Sequence, residues 1–222
     1  MTNGEREATR RSGLRTTRME AFSDGVFAIA ITLLVLEIGV PDGSEADLLG
    51  AVADQWPSYL AYLVSFATIG AIWLKHTVIT EYLTRASSAL VRLNLLLLLV
   101  VSFLPFPTRL VAEHIHADEA ERVAATVYGV NLLLASALVG LLWRYAARER
   151  LLRPDATDRE LTALGLQLVP SLGGYLVMIL VGLVVPLLAV LGYLAIAVYI
   201  IVPFHALRRR GSGVRPEPEP QG

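Results

Sequence analysis

Arg18, Ser23, Asp24 and Thr32 sit in the apolar stretch "RMEAFSDGVFAIAITLLVLEI", which runs from Arg18 to Ile38. A guanidinium, a hydroxyl and a carboxylate so close together suit either ion binding or hydrogen bonding between helices. Thr17 and Glu20 form a T-x-x-E capping box, which predicts a helix starting at Thr17. Asp24 then lies about 10 Å inside that start, at about 1.5 Å per residue. If the helix crosses lipid, an unpaired carboxylate there is costly. Arg18 and Asp24 fall about 120° apart on a helix, so they do not form an i,i+4 pair. Asp24 must look to a neighbouring helix, where Trp73, Lys75 and His76, or Arg92 and Asn94, are the candidates. Two uses of Ser23 and Asp24 stay open: polar glue between helices, and a direct role in binding an ion.

The same stretch carries an apolar pattern. Ile29, Leu33 and Leu36 follow i, i+4, i+7 and fall within about 60° of one helix face, with Val40 continuing the line and Thr32 beside it. On pattern alone this stripe is a lipid-facing or packing surface. Other chemistry is sparse. The chain has no H-E-x-x-H, P-loop or G-x-S-x-G motif and no cysteine, so it is not expected to be an enzyme. His114 and His116 lie among Glu113, Asp118 and Glu119, but nothing fixes their geometry as a metal site, and a solvated loop is expected. "TVYGV", Thr126 to Val130, resembles a potassium filter only superficially: its Tyr-Gly order is reversed and the apolar run after it continues as helix. Carbonyls bonded within a helix cannot coordinate an ion.

The elements that hold these residues follow from composition. The chain has 222 residues, 55% of them hydrophobic, with a mean hydropathy of +0.56. Several uncharged runs reach the roughly 20 residues that cross a bilayer as helix. Six spans are predicted, at about 17–40, 57–79, 90–110, 124–145, 161–183 and 186–207, the last two divided at Gly182 and Pro186. Residues 1–16 form an N-terminal segment and 208–222 a Pro- and Glu-rich disordered tail. Of the 19 Lys and Arg residues, 17 fall on one set of alternate loops and 2 on the other. By the positive-inside rule both termini are cytoplasmic. The fold class is thus an all-α integral membrane protein.

These residues resemble a known family. Arg18, Phe22, Ser23 and Asp24 match the R-x-x-x-F-S-D signature of the transmembrane protein 175 potassium-channel family. "IGAIWLKHTVI" and "RLNLLLLLVVSFLPFPTRL" are similar to the second and third helices of its single-repeat prokaryotic members. The resemblance implies a homotetramer in the bacterial cell membrane, its central pore lined by four first helices. Ile29, Leu33 and Leu36 would then form the hydrophobic constriction, with Thr32 a selectivity-linked position. Arg18, Phe22, Ser23, Asp24, Trp73, His76 and Asn94 would form a structural polar network. Potassium and other monovalent cations would permeate. No cofactor and no nucleic-acid partner are expected, and besides the permeant ion the partners are the lipid bilayer and other copies of the chain. An ion- or proton-coupled secondary transporter and a non-transporting membrane scaffold are the alternatives.

Overall fold

The computed structural model describes residues 3–39, 44–114, 118–154, 165 and 170–211. Helix α1 (Asn3–Leu33) passes into a 3₁₀ turn at Leu34–Glu37. The capping-box expectation fails, because α1 runs through Thr17 without a break. Residues 3–16 contain no proline, and their four arginines and two glutamates are good helix formers that let the turns continue. The boundary expected between residues 16 and 17 therefore has no counterpart in the backbone.

The acidic connection that follows is more ordered than its composition suggests. After a 3₁₀ turn at Ser44–Asp47 comes the short α2 (Leu48–Asp54), capped where the Asp47 carboxylate accepts from the Gly50 N–H at 3.0 Å. Helix α3 (Trp56–Tyr82) starts with Pro57 in its first turn, as predicted.

The third span is jointed. Helix α4 (Ser88–Ser102) and α5 (Pro105–His114) meet at Phe103–Leu104, since Pro105 has no N–H to continue the ladder. The Leu104 N–H turns to the Val101 carbonyl at 3.1 Å, which leaves the Val100 carbonyl without its usual partner. Asn131 supplies one, donating its side-chain amide at 3.2 Å. This is how a membrane helix tolerates a proline: a neighbour satisfies the freed backbone group.

Helix α6 (Asp118–Arg148) contains Thr126 to Val130 as ordinary helix, with Tyr128 buried in the core. Helices α7 (Pro170–Gly182) and α8 (Pro186–Gly211) are separated at the predicted break. Residues 208–211, expected in the disordered tail, extend α8, while 212–222 lie outside the described residues. Most of the expected start of the fifth span also lies outside them. Among the described residues four segments are long and apolar enough to cross a membrane: Thr16–Glu37, Trp56–Tyr82, Ser88–His114 and Glu119–Arg148.

Helix α3 is central, packing on α1, α5, α6 and α8. A second internal tie lies among uncharged hydroxyls. Thr108 donates to the Leu104 carbonyl at 2.8 Å, so its oxygen accepts from Ser65 at 2.7 Å, and Ser65 in turn accepts from Tyr128 at 2.9 Å. Beside Tyr128 the rings of Tyr193 and Tyr175 follow in sequence, each tilted against the last, and Gly129 admits the Tyr193 hydroxyl where any Cβ would collide with it. Helix α1 is packed differently, against α3 and α4 along one side only.

Candidate functional site

The burial of α1 divides it lengthwise. Met19, Ser23, Phe27, Ala30 and Leu34 are buried at the helical repeat and face α3 and α4. On the other side Ile29 is 60% exposed, Leu33 41% and Leu36 73%, with Thr32 exposed between them. Leu36 sits in the 3₁₀ turn, so the stripe extends past the end of the regular helix. The Thr32 hydroxyl donates to the Ile29 carbonyl at 2.9 Å, which aims the lone pairs of its oxygen outward.

The buried side is tied down by a directional relay. Ser23 donates to the Met19 carbonyl at 2.8 Å, so its oxygen accepts from the Asn94 amide, also at 2.8 Å. That orients Asn94 with Oδ1 toward His76, where Nε2 lies 2.8 Å away. A carboxamide oxygen only accepts, so Nε2 carries the proton. His76 Nδ1 has no hydrogen-bond partner among the described residues, and the ring packs at 5.5 Å against Phe27. Three helices are thus joined by side chains that are all fully enclosed: Ser23 is 0% exposed, His76 1% and Asn94 2%.

Asp24 uses a separate contact. Its carboxylate accepts from Trp73 Nε1 at 2.9 Å, and both residues lie on the exposed side of the chain. Of the sequence-predicted network, the structure brings together Ser23, Asn94 and His76, and pairs Asp24 with Trp73. Arg18 and Phe22 are exposed and join neither group. Lys75 and Arg92 do not reach Asp24. Arg92 is exposed, and Lys75 is buried on another face of α3, donating to Ser171 at 2.8 Å, which in turn meets Ser136 at 2.9 Å. The adjacent positions 75 and 76 therefore serve different neighbours, being about 100° apart on one helix.

Two participants were missed in the sequence. The Met19 carbonyl ends the relay, and no residue-type signal marks a backbone acceptor. Arg109, on α5, bonds Glu113 at 2.7 Å and reaches Glu37, at the outer end of the stripe, at 3.9 Å. The i,i+4 pair was legible from spacing, but the bridge to Glu37 depends on the third span folding back beside the first. His114 Nδ1 lies 3.0 Å from the Leu110 carbonyl, no cluster of metal-ligating side chains occurs among the described residues, and His116 is outside them.

The Asp24 contact yields a first expectation. Asp24→Asn keeps an acceptor for Trp73 and is expected to melt close to the wild type. Asp24→Ala removes it and is expected to cost about 0.5–1.5 kcal/mol. Thermal unfolding of the purified variants measures both, and equal losses would show that the negative charge, not the hydrogen bond, is what matters.

Residues 18–105 match a family model described as "Endosomal/lysosomal potassium channel TMEM175". A potassium channel of Streptomyces collinus is 48% identical over 133 residues, 59% of this chain and 64% of that protein. A potassium channel of Chamaesiphon minutus is 46% identical over 166 residues, 73% of this chain and 81% of that protein. The crystal structure of a lysosomal potassium-selective channel TMEM175 homolog from Chamaesiphon minutus superposes with a TM-score of 0.77 at 40% identity. It covers 85% of this chain and 97% of that one. Sharing its fold and nearly half of the aligned residues with such relatives, the chain belongs to the TMEM175 family.

Proposed function

We propose that the chain is one subunit of a potassium-permeable cation channel, a homotetramer whose four first spans surround the pore. The observation that carries this reading is the lengthwise division of α1. One side is held by an enclosed polar relay, and the other exposes Ile29, Leu33 and Leu36. The first span is also the least enclosed of the four long ones, 28% buried against 50%, 33% and 56% for the second, third and fourth. Asp24 and Trp73 share its exposed side, and a carboxylate at that depth favours contact with water or another subunit over lipid. The relatives named as potassium channels support the same ion.

In this reading six spans cross the cell membrane with both termini cytoplasmic, as the loop charges favour. A single chain contributes one first span, so closure around an axis requires several copies in closed symmetry. The aliphatic side chains meet there as a dry constriction that gates by dewetting. Without a carbonyl cage, the filter prefers the ion whose water is more cheaply shed or distorted, which is potassium over sodium. Thr32 sits at the same level with its lone pairs outward. Ser23, Asp24, Trp73, His76 and Asn94 keep the span in register, and Arg18 and Phe22 are free to contact a neighbouring subunit. The acidic connection, with Asp47 and Asp54, raises the local cation concentration at the outer mouth.

The test is a planar-bilayer recording of the purified protein under opposed potassium and sodium gradients, beside a mass measurement of the conducting species. A current reversing toward the potassium potential, carried by a tetramer, is expected. Flux only in exchange for a second solute would indicate a coupled transporter, and a conducting monomer or dimer would exclude the proposed pore.

A further inference from the structure

Between α3 and α4 and just after α6, two connections form a small antiparallel clasp. Leu83 pairs with Leu152, the Thr84 N–H donates to the Leu151 carbonyl and the Arg153 N–H to the Tyr82 carbonyl, each at 2.9 Å. Leu83, Leu151 and Leu152 are buried beneath it, and the Arg153 guanidinium lies 5.4 Å from the centre of the Tyr82 ring. Tyr82 thus faces Arg153, Leu83 faces Leu152 and Thr84 faces Leu151. Arg85 follows Thr84 and Arg150 precedes Leu151, so the two cations flank the last bonded pair of the clasp. Like charges held on neighbouring stretches of chain repel each other. Both arginines are exposed, and neither forms an ion pair with another described residue. The acids nearest in sequence, Glu81 and Glu149, pair with neither.

Arg150 also has a φ of 51°, the one positive value among the described non-glycine residues. It closes α6. The Leu151 N–H returns to the Ala146 carbonyl at 3.0 Å and the Arg150 N–H to Ala147 at 3.3 Å, a Schellman ending whose left-handed position ordinarily belongs to glycine. A cation at a helix C-terminus gains from the dipole, but Arg144 and Arg148 already supply that from regular helical positions. An arginine in a strained conformation, beside a connection that carries a second arginine, points to an anion that both contact.

The position narrows the anion's source. The clasp lies where α3 and α6 end and α4 begins, the level of lipid headgroups on one membrane face. Guanidinium groups bind phosphate oxygens through paired N–H donors. We propose that Arg85 and Arg150 bind the phosphate of an anionic phospholipid headgroup on that face.

The test uses the full chain in phosphatidylcholine nanodiscs with and without phosphatidylglycerol. A ligand that binds the folded state raises its unfolding midpoint, here by about 3–5 °C for a chain of this size. Arg150→Gly is expected to melt higher than the wild type in pure phosphatidylcholine, because it relieves the strain, yet to lose the rise with phosphatidylglycerol. Arg85→Gln is expected to lose that rise as well. Arg122→Gln, at the opposite end of α6, keeps it. The proposal is overturned by a wild type indifferent to phosphatidylglycerol, or by an Arg150→Gly chain that keeps the rise or melts lower in phosphatidylcholine. It is also overturned if Arg122→Gln loses the rise, which would reduce the effect to net charge. A full rise with glycerol phosphate in pure phosphatidylcholine would assign the site to a soluble phosphate instead of a lipid.

Discussion

Ile29→Asn raises the single-channel conductance severalfold and removes most of the discrimination between potassium and sodium. Ile29 is the first residue of the exposed stripe and is 60% exposed on the isolated chain. A β-branched side chain has few rotamers with which to swing aside, so four around an axis form the narrowest and driest point of the proposed pore. An amide there holds water in place and lowers the penalty on every hydrated cation. Discrimination needs little to collapse, since a factor of ten corresponds to only about 1.4 kcal/mol. Leu33→Ala and Leu36→Ala are expected to act in the same direction more weakly, because the remaining rings still exclude water. Leu34 is the matched control. It is 0% exposed and faces its own subunit, so Leu34→Asn should lower the amount of folded protein and leave unitary current unchanged in what survives. Paired single-channel and yield measurements decide this. Unchanged conductance in Ile29→Asn, with altered conductance in Leu34→Asn, would put the pore on the wrong side of the helix.

Asn94→Ala lowers stability more than any other single truncation in the relay. Asn94 is the member whose side chain bonds two other side chains, accepting from His76 and donating to Ser23, each at 2.8 Å. Truncation removes both bonds and leaves the His76 Nε2–H enclosed without an acceptor. Hydrogen bonds between membrane helices average about 0.6 kcal/mol, and an orphaned buried donor adds about 1–3 kcal/mol. A loss of about 2–4 kcal/mol results. Ser23→Ala likewise orphans one enclosed donor, the Asn94 amide N–H, but strips only one of the two inter-helix bonds, so a loss smaller by about 0.6 kcal/mol is expected. Thermal unfolding in one detergent ranks the two, and a reversed order would mean that the relay does not hold the helices as its geometry indicates.

Membrane segments were legible because lipid imposes a length and a polarity that few residues can satisfy otherwise. The break between α7 and α8 at Gly182 and Pro186 followed from the same rule. What escaped was whatever depends on contacts distant in sequence. The joint at Phe103–Leu104 rests on Asn131, in another helix, to satisfy Val100. The start of α1 was misplaced because a capping box marks where a helix can begin, not where it must. At the site, Ser23, Asp24, Trp73, His76 and Asn94 were recognisable as polar groups out of place in apolar helices. Their sorting into one enclosed relay and one exposed contact was not, since a step of one residue turns a side chain toward a different neighbour. Lys75, beside His76, shows how completely that step changes the outcome.

The first span is gripped along a single line, through Met19, Ser23, Phe27, Ala30 and Leu34. A cylinder held that way resists sliding and bowing, and yields most easily by rolling about the line of grip. Ile29, Leu33 and Leu36 stand on the far side, where a roll sweeps the longest arc. A helix with its side chains is roughly 10 Å across, so a roll of about 20° about the line of grip carries their tips about 3–4 Å sideways, close to the width of a methyl group. The bore of such a pore is set by an angle, and torsion on the helix adjusts it without any change in length.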